Sequence, residues 1–164
     1  MANRTPYTTI MLSGGFDPIH IGHVRMILAA AELGNVIIVA NSDRWLMNKK
    51  GYIFMPWKER AEILSSIRGV QDVVTVDDAD GTVCEALRRV KSDMFGNGGD
   101  RTKHNTPEMK VCEELGIEMV WGLGGNKIQS SSELVDVANM VLPINGDDED
   151  LAPSMVYIAT KSKD

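Results

Sequence analysis

Apolar residues along the 164-residue chain alternate between two rhythms. Thr8 to Leu12 is a β-rich apolar run that ends at Ser13-Gly14-Gly15. From Ile21 to Leu33 the period changes: Val24, Ile27, Leu28 and Ala31 recur at helical spacing, and Gly34 stops the pattern. Val36 to Ala40 is continuously apolar, as a strand buried on both faces should be. Pro56 suits the first turn of a helix running to about Arg68, with Ala61, Ile63, Leu64 and Ile67 as its apolar positions. Val73 to Val76 predicts a short third strand, Thr82 to Val90 a helix, and Met94-Phe95 with Gly96 a short fourth strand. Pro107 to Leu115 predicts a helix stopped by Gly116, Ile117 to Trp121 a fifth strand, and Ser130 to Met140 a last helix.

Strands alternating with helices imply right-handed crossovers and a parallel sheet covered on both sides. The expected fold is therefore α/β, a Rossmann-like doubly wound five-stranded parallel sheet in a single domain. Ligands bind such sheets outside the carboxyl ends of the strands, where the strand order reverses. Gly14-Gly15, Asn41-Ser42-Asp43 and Asn97-Gly98-Gly99-Asp100 each follow a predicted strand, so all three loops belong on that edge. The domain is expected over residues 1–146. Residues 147–164 are expected to form an acidic loop and tail, in which Val156 to Ala159 suits either an edge strand or an arm on a partner, leaving a homodimer open.

Composition narrows the function. The hydrophobic content of 43% supports one domain with a real core. A net charge of −6 without any Lys/Arg block argues against a nucleic-acid surface. No apolar run approaches the roughly 18 residues of a membrane span, and the first residues carry no apolar signal region. A cytoplasmic protein is expected, with neither nucleic acid nor membrane as partner. Cys84 and Cys112 lack metal-ligand spacing and sit in predicted helices, so reduced core thiols are expected.

Two of the three histidines stand three residues apart in GGFDPIHIGH, Gly14 to His23. Gly14-Gly15 lets the backbone turn sharply and approach a ligand. The helix that follows starts near His20, and a helix N-terminus attracts phosphate. His20 and His23 share one face of its first turn, and Gly22 removes a side chain that would crowd a ligand beside them. Two imidazoles there can donate to phosphate oxygens and stabilise developing charge. A lone histidine at such a place would more often be a cap or a core residue; the complete pattern favours phosphate chemistry. Zinc is not expected, because His104 lies far along the chain and neither cysteine is near.

The same stretch resembles the nucleotide-binding signature of the cytidylyltransferase-like nucleotidyltransferases. The resemblance runs from about Thr8 to Val137. LGNVIIVANSD (Leu33 to Asp43) and KKG…ERAEILSSIRGVQDVV (Lys49 to Val74) are similar to glycerol-phosphate cytidylyltransferases and sugar-phosphate (heptose-type) adenylyltransferases. So are SDMFGNGGD (Ser92 to Asp100) and KIQSSSEL (Lys127 to Leu134). Class I tRNA synthetases share the histidine signature, but a 164-residue acidic chain is expected to lack room for an amino-acid pocket and a tRNA-binding region.

The resemblance implies a nucleotidyltransferase that moves CMP or AMP from a nucleoside triphosphate to a small phosphorylated sugar or polyol, with release of pyrophosphate. It assigns His20, His23 and Lys50 to catalysis, with Lys49 as a substitute for Lys50. It assigns Gly14, Gly15, Phe16, Asp17, Gly22, Gly99, Asp100, Lys127, Ser130, Ser131 and Ser132 to nucleotide binding. Magnesium is implied as the counterion of the triphosphate, with no metal ligand assigned in the chain. The late serine motif departs from the pattern: Glu133-Leu134 follows it where a basic residue is common, and the nearest base is Lys127, upstream. GGFDPIH is also similar to nicotinate- or nicotinamide-mononucleotide and phosphopantetheine adenylyltransferases, so a mononucleotide-type acceptor ranks second. A nucleotide-binding module without catalysis is the alternative from another class.

Overall fold

The computed structural model describes residues 8–99 and 106–141. Five strands form one parallel sheet: β1 (Thr9–Gly14), β2 (Asn35–Ala40), β3 (Val70–Val74), β4 (Met94–Gly98) and β5 (Glu118–Leu123). Six helices connect or flank them: α1 (Ile21–Ala31), α2 (Asp43–Lys50), α3 (Trp57–Ser65), α4 (Cys84–Val90), α5 (Pro107–Leu115) and α6 (Ser131–Val141). The strand order is β3-β2-β1-β4-β5, so the winding reverses between β1 and β4. The expected doubly wound α/β architecture is present, and the reversal fixes where a ligand should bind.

Alternation along β1 shows how the sheet is buried. Ile10 and Leu12 point to one side, into a cluster with Ile27 and Ala30 of α1 and Leu64 of α3. Met11 points to the other, into a cluster with Ala86 and Leu87 of α4 and Val111 and Cys112 of α5. All three β1 residues have no exposed surface, which is why that run reads as uniformly apolar. Cys84 and Cys112 are free and buried as core thiols, and burial pushes the Cys112 thiol up to about 11.

Three expectations need correction. Residues 43–50 form a helix where only loops were expected. Ser42 caps it by accepting the Trp45 N–H at 3.0 Å, and Gly51 ends it in the left-handed region. β3 begins at Val70 rather than Val73; as an edge strand its residues Gln71 and Asp72 face solvent, which hides its start from an apolar pattern. Asn97 and Gly98 continue β4 instead of belonging to the loop beyond it. Asp100, His104 and the tail 147–164, with its proposed edge strand or arm, lie outside the described residues.

No helix among the described residues is long and apolar enough to cross a membrane.

Candidate active site

A cavity of about 290 Å³ opens at the carboxyl edge of the sheet, between the ends of β1 and β4, where the strand order reverses. Its wall brings together residues far apart in sequence: Gly14 and Phe16, His20, Gly22 and His23, Lys50, the stretch from Gly96 to Gly99, and the segment from Leu123 to Ser132.

The histidines are held by the helix they start. His20 is the N-cap of α1 in extended backbone. Its Nδ1 accepts the Gly22 N–H at 3.1 Å, and the His23 Nδ1 accepts the His20 N–H at 3.2 Å. This reciprocal pair is a capping box built from imidazoles. The rings stack at 3.8 Å with 23° between their planes. Since each Nδ1 is an acceptor, each neutral ring carries its proton on Nε2 and has one donor left. The surroundings keep the rings neutral. Burial lowers the His20 pKa, helped by the charges of Lys50 and Lys127. Burial, then His20 and Lys50, lowers that of His23 to about 3. The site thus holds two donors that are uncharged at neutral pH and sit in a positive field suited to an anion.

Gly22 has a more specific job than leaving room for a ligand: a Cβ there would lie 2.9 Å from the His20 Cε1. Phe16 braces the pair from behind. Its ring is 1% exposed and meets His23 edge-on at 5.0 Å, although its φ of 51° lies where side chains are rarely found.

Lys50 and Lys49 separate cleanly. Lys50 lines the cavity, and its Nζ donates to the Asp17 carbonyl at 3.0 Å. Burial lowers its pKa while Asp17 opposes that shift. Lys49 is exposed, with its Nζ 4.7 Å from the Trp45 ring centroid. Lys50→Met should weaken triphosphate binding about tenfold, the worth of a charge-assisted contact, and Lys50→Arg should restore part of it. Lys49→Met should leave binding close to wild type; calorimetry on the three variants checks the assignment.

Lys127 is the base nearest the serine motif. It lines the same cavity, and its charge acts on His20. The serines line the cavity as well. Ser131 Oγ donates to the Pro18 carbonyl at 2.8 Å, and Ser130 Oγ accepts the Glu133 N–H at 3.4 Å. Ser131 thus fastens the start of α6 to the segment before α1, while Ser130 caps α6 and keeps its own O–H, so a phosphate there would meet that hydroxyl and the remaining helix N–H groups.

Gly15 and Asp17 are not part of the cavity wall. The Gly15 carbonyl accepts from Arg60 at 2.7 Å. The Asp17 carboxylate has no exposed surface and accepts the Phe54 and Met55 N–H groups at 2.7 and 2.6 Å. Sequence reasoning missed other wall residues. Asn97 is 4% exposed and its Nδ2 donates to the Val120 carbonyl at 3.5 Å. Gly124 and Gly125 turn the chain after β5 with φ near 80°. A Cβ on Gly124 would lie 2.8 Å from the Met26 nitrogen, so this turn packs directly on α1. A glycine run after the fifth predicted strand was the available signal.

Residues 11–140 match the cytidylyltransferase-like family. The chain belongs to this family. Among its relatives is the FAD synthase of Thermococcus kodakarensis, 34% identical over 122 residues covering 73% of this chain and 76% of that one. Another is the bifunctional protein HldE of Desulfatibacillum aliphaticivorans, 29% identical over 133 residues covering 79% of this chain. The chain spans about a quarter of the length of the HldE proteins it matches. A lipopolysaccharide core biosynthesis protein from Thermoplasma volcanium shares the fold, with a TM-score of 0.59 at 19% identity over 74% of this chain and 98% of that one. The cytidylyltransferase-like resemblance carried by GGFDPIHIGH thus extends over most of the sequence.

Proposed function

We propose that the protein is a nucleotidyltransferase that moves an NMP group from a nucleoside triphosphate to a small phosphorylated sugar or polyol, releasing pyrophosphate. One observation carries this reading: two neutral imidazole donors, Lys50 and Lys127 converge on one cavity at the reversal of the sheet. An acceptor oxygen attacks the α-phosphorus, the bond to the bridging oxygen breaks, and pyrophosphate leaves. The chain's contribution is to hold the triphosphate and stabilise charge that grows on its oxygens. The His20 and His23 Nε2–H groups are placed to donate to those oxygens; the two lysines offset charge on the leaving phosphates.

Among the described residues the cavity wall carries no carboxylate. This fits a magnesium ion that arrives on the triphosphate, bound by phosphate oxygens and water.

The resemblance of Leu33 to Asp43 and Ser92 to Asp100 to glycerol-phosphate cytidylyltransferases and sugar-phosphate adenylyltransferases favours the sugar- or polyol-phosphate acceptor. The FAD synthase relative, matched over three quarters of its length, favours a second reading with a mononucleotide acceptor, flavin mononucleotide. Pyrophosphate release with each of ATP, CTP, GTP and UTP against sugar 1-phosphates, glycerol 3-phosphate, flavin mononucleotide and nicotinamide mononucleotide separates them. Release that depends on a sugar or polyol phosphate is the expected result. Release only with a mononucleotide selects the second reading. Triphosphate binding without release under any acceptor would leave a binding module.

A further inference from the structure

The largest fully buried side chain among the described residues is charged: Arg60 of α3, with no exposed surface. Burying an ion is expensive, and packing alone would be served better by an apolar side chain. Arg60 is not part of the cavity wall, yet its guanidinium collects three loops of the carboxyl edge. Its Nη1 donates to the Gly15 carbonyl at 2.7 Å and the Asn41 carbonyl at 2.8 Å. Its Nη2 meets the Asp43 carboxylate at 2.7 Å, and its Nε donates to the Met55 carbonyl at 2.9 Å. Asn41 is gripped a second time, through its side chain, by the buried Asp78 at 3.1 Å.

These bonds lead to Lys50. Met55 is held on both sides: Arg60 takes its carbonyl, and the Asp17 carboxylate takes its N–H. The Asp17 carbonyl accepts the Lys50 ammonium. The glycine turn below the histidines and the segment after Lys50 are thus tied to one rigid fork. A lysine at position 60 would keep the charge and lose the planar geometry that reaches four acceptors.

We propose that Arg60 is a positioning residue for triphosphate binding: it sets Lys50 against the glycine turn, through Met55 and Asp17, without touching the nucleotide. The inference rests on the nucleotidyltransferase reading and adds a residue to that site.

The test is a double-mutant cycle read by calorimetry, using whichever of ATP, CTP, GTP and UTP stabilises the wild-type protein most. Arg60→Lys should weaken that triphosphate about tenfold, the scale of losing a supporting partner of a ligand-binding group. In a Lys50→Met background the same change should cost less than about twofold, because the group Arg60 places is gone. Equal losses in both backgrounds, or an unchanged affinity with only a lower melting temperature, would overturn the proposal and leave Arg60 as structural cement. If Arg60→Lys does not melt cooperatively, Asp43→Asn enters the cycle instead. It removes the partly exposed negative charge, leaves a neutral amide oxygen in its place, and keeps the three carbonyl contacts. Its expected loss is about threefold, again vanishing without Lys50; persistence of that loss would overturn the proposal. A wild-type protein that binds none of the four triphosphates would sink the proposed function and this inference together, a result distinct from additive losses in a protein that binds.

Discussion

His20→Ala and His23→Ala should each lower turnover about a hundredfold or more, the cost of losing one preorganised donor to developing charge. Both side chains also cap α1, and losing a cap costs about 1 kcal/mol of stability. The two roles can be separated. Asparagine is a good N-cap and glutamine is the usual partner three residues on, so His20→Asn and His23→Gln can keep the reciprocal bonds of the capping box. Neither carries the rigid ring that fixes an N–H at the imidazole Nε2 position. Melting temperatures of these two variants should recover toward wild type while turnover stays low. If turnover recovers along with stability, the histidines only cap the helix and the chemical role assigned to them is wrong.

A second large effect is expected at Gly99. A Cβ there would lie 1.9 Å from the Gly125 carbonyl oxygen and 2.9 Å from its carbon, both backbone atoms that cannot rotate away. The turns after β4 and β5 meet at this point and together form one wall of the cavity. Gly99→Ala must push them apart. The expected cost is about 1–3 kcal/mol of stability, the usual range for overfilling a packed site, with a marked loss of triphosphate affinity. Gly51→Ala is the comparison: that glycine has a φ of 80° but nothing within 4 Å of its Cβ position, so the change strains the backbone and spares the cavity. Thermal melts and calorimetry on both variants read the difference. Wild-type stability and affinity in Gly99→Ala would show that the two turns do not define the site.

The placement of the histidines was more legible than their supports. β1, α1 and β2 follow from clean changes of apolar period, and GGFDPIHIGH places the histidines on the first turn of a helix, where they stand. α2 escaped because its residues are mostly polar and only Leu46 is buried, so it has no apolar stripe. Its cap and stop signals, Ser42 and Gly51, were present and outvoted. The sequence offers capping for a lone histidine and sets it aside for the pair; that both rings cap depends on which ring nitrogen faces which amide, and the sequence does not carry that. Arg60 reads as an ordinary helix arginine; only the convergence of Gly15, Asn41 and Met55 carbonyls on one point makes it a buried hub. Likewise, the choice between Lys49 and Lys50 needed the helix, which turns one toward Trp45 and the other toward the cavity.

The central claim is transfer of a nucleotidyl group, and the fate of two phosphate labels tests it most directly. With the productive triphosphate and acceptor, a radiolabel on the α-phosphate should move into the acceptor through a new phosphate linkage, while a label on the γ-phosphate should leave in pyrophosphate. An α-label that stays in the triphosphate, or passes to water as free NMP whatever acceptor is present, would contradict the account.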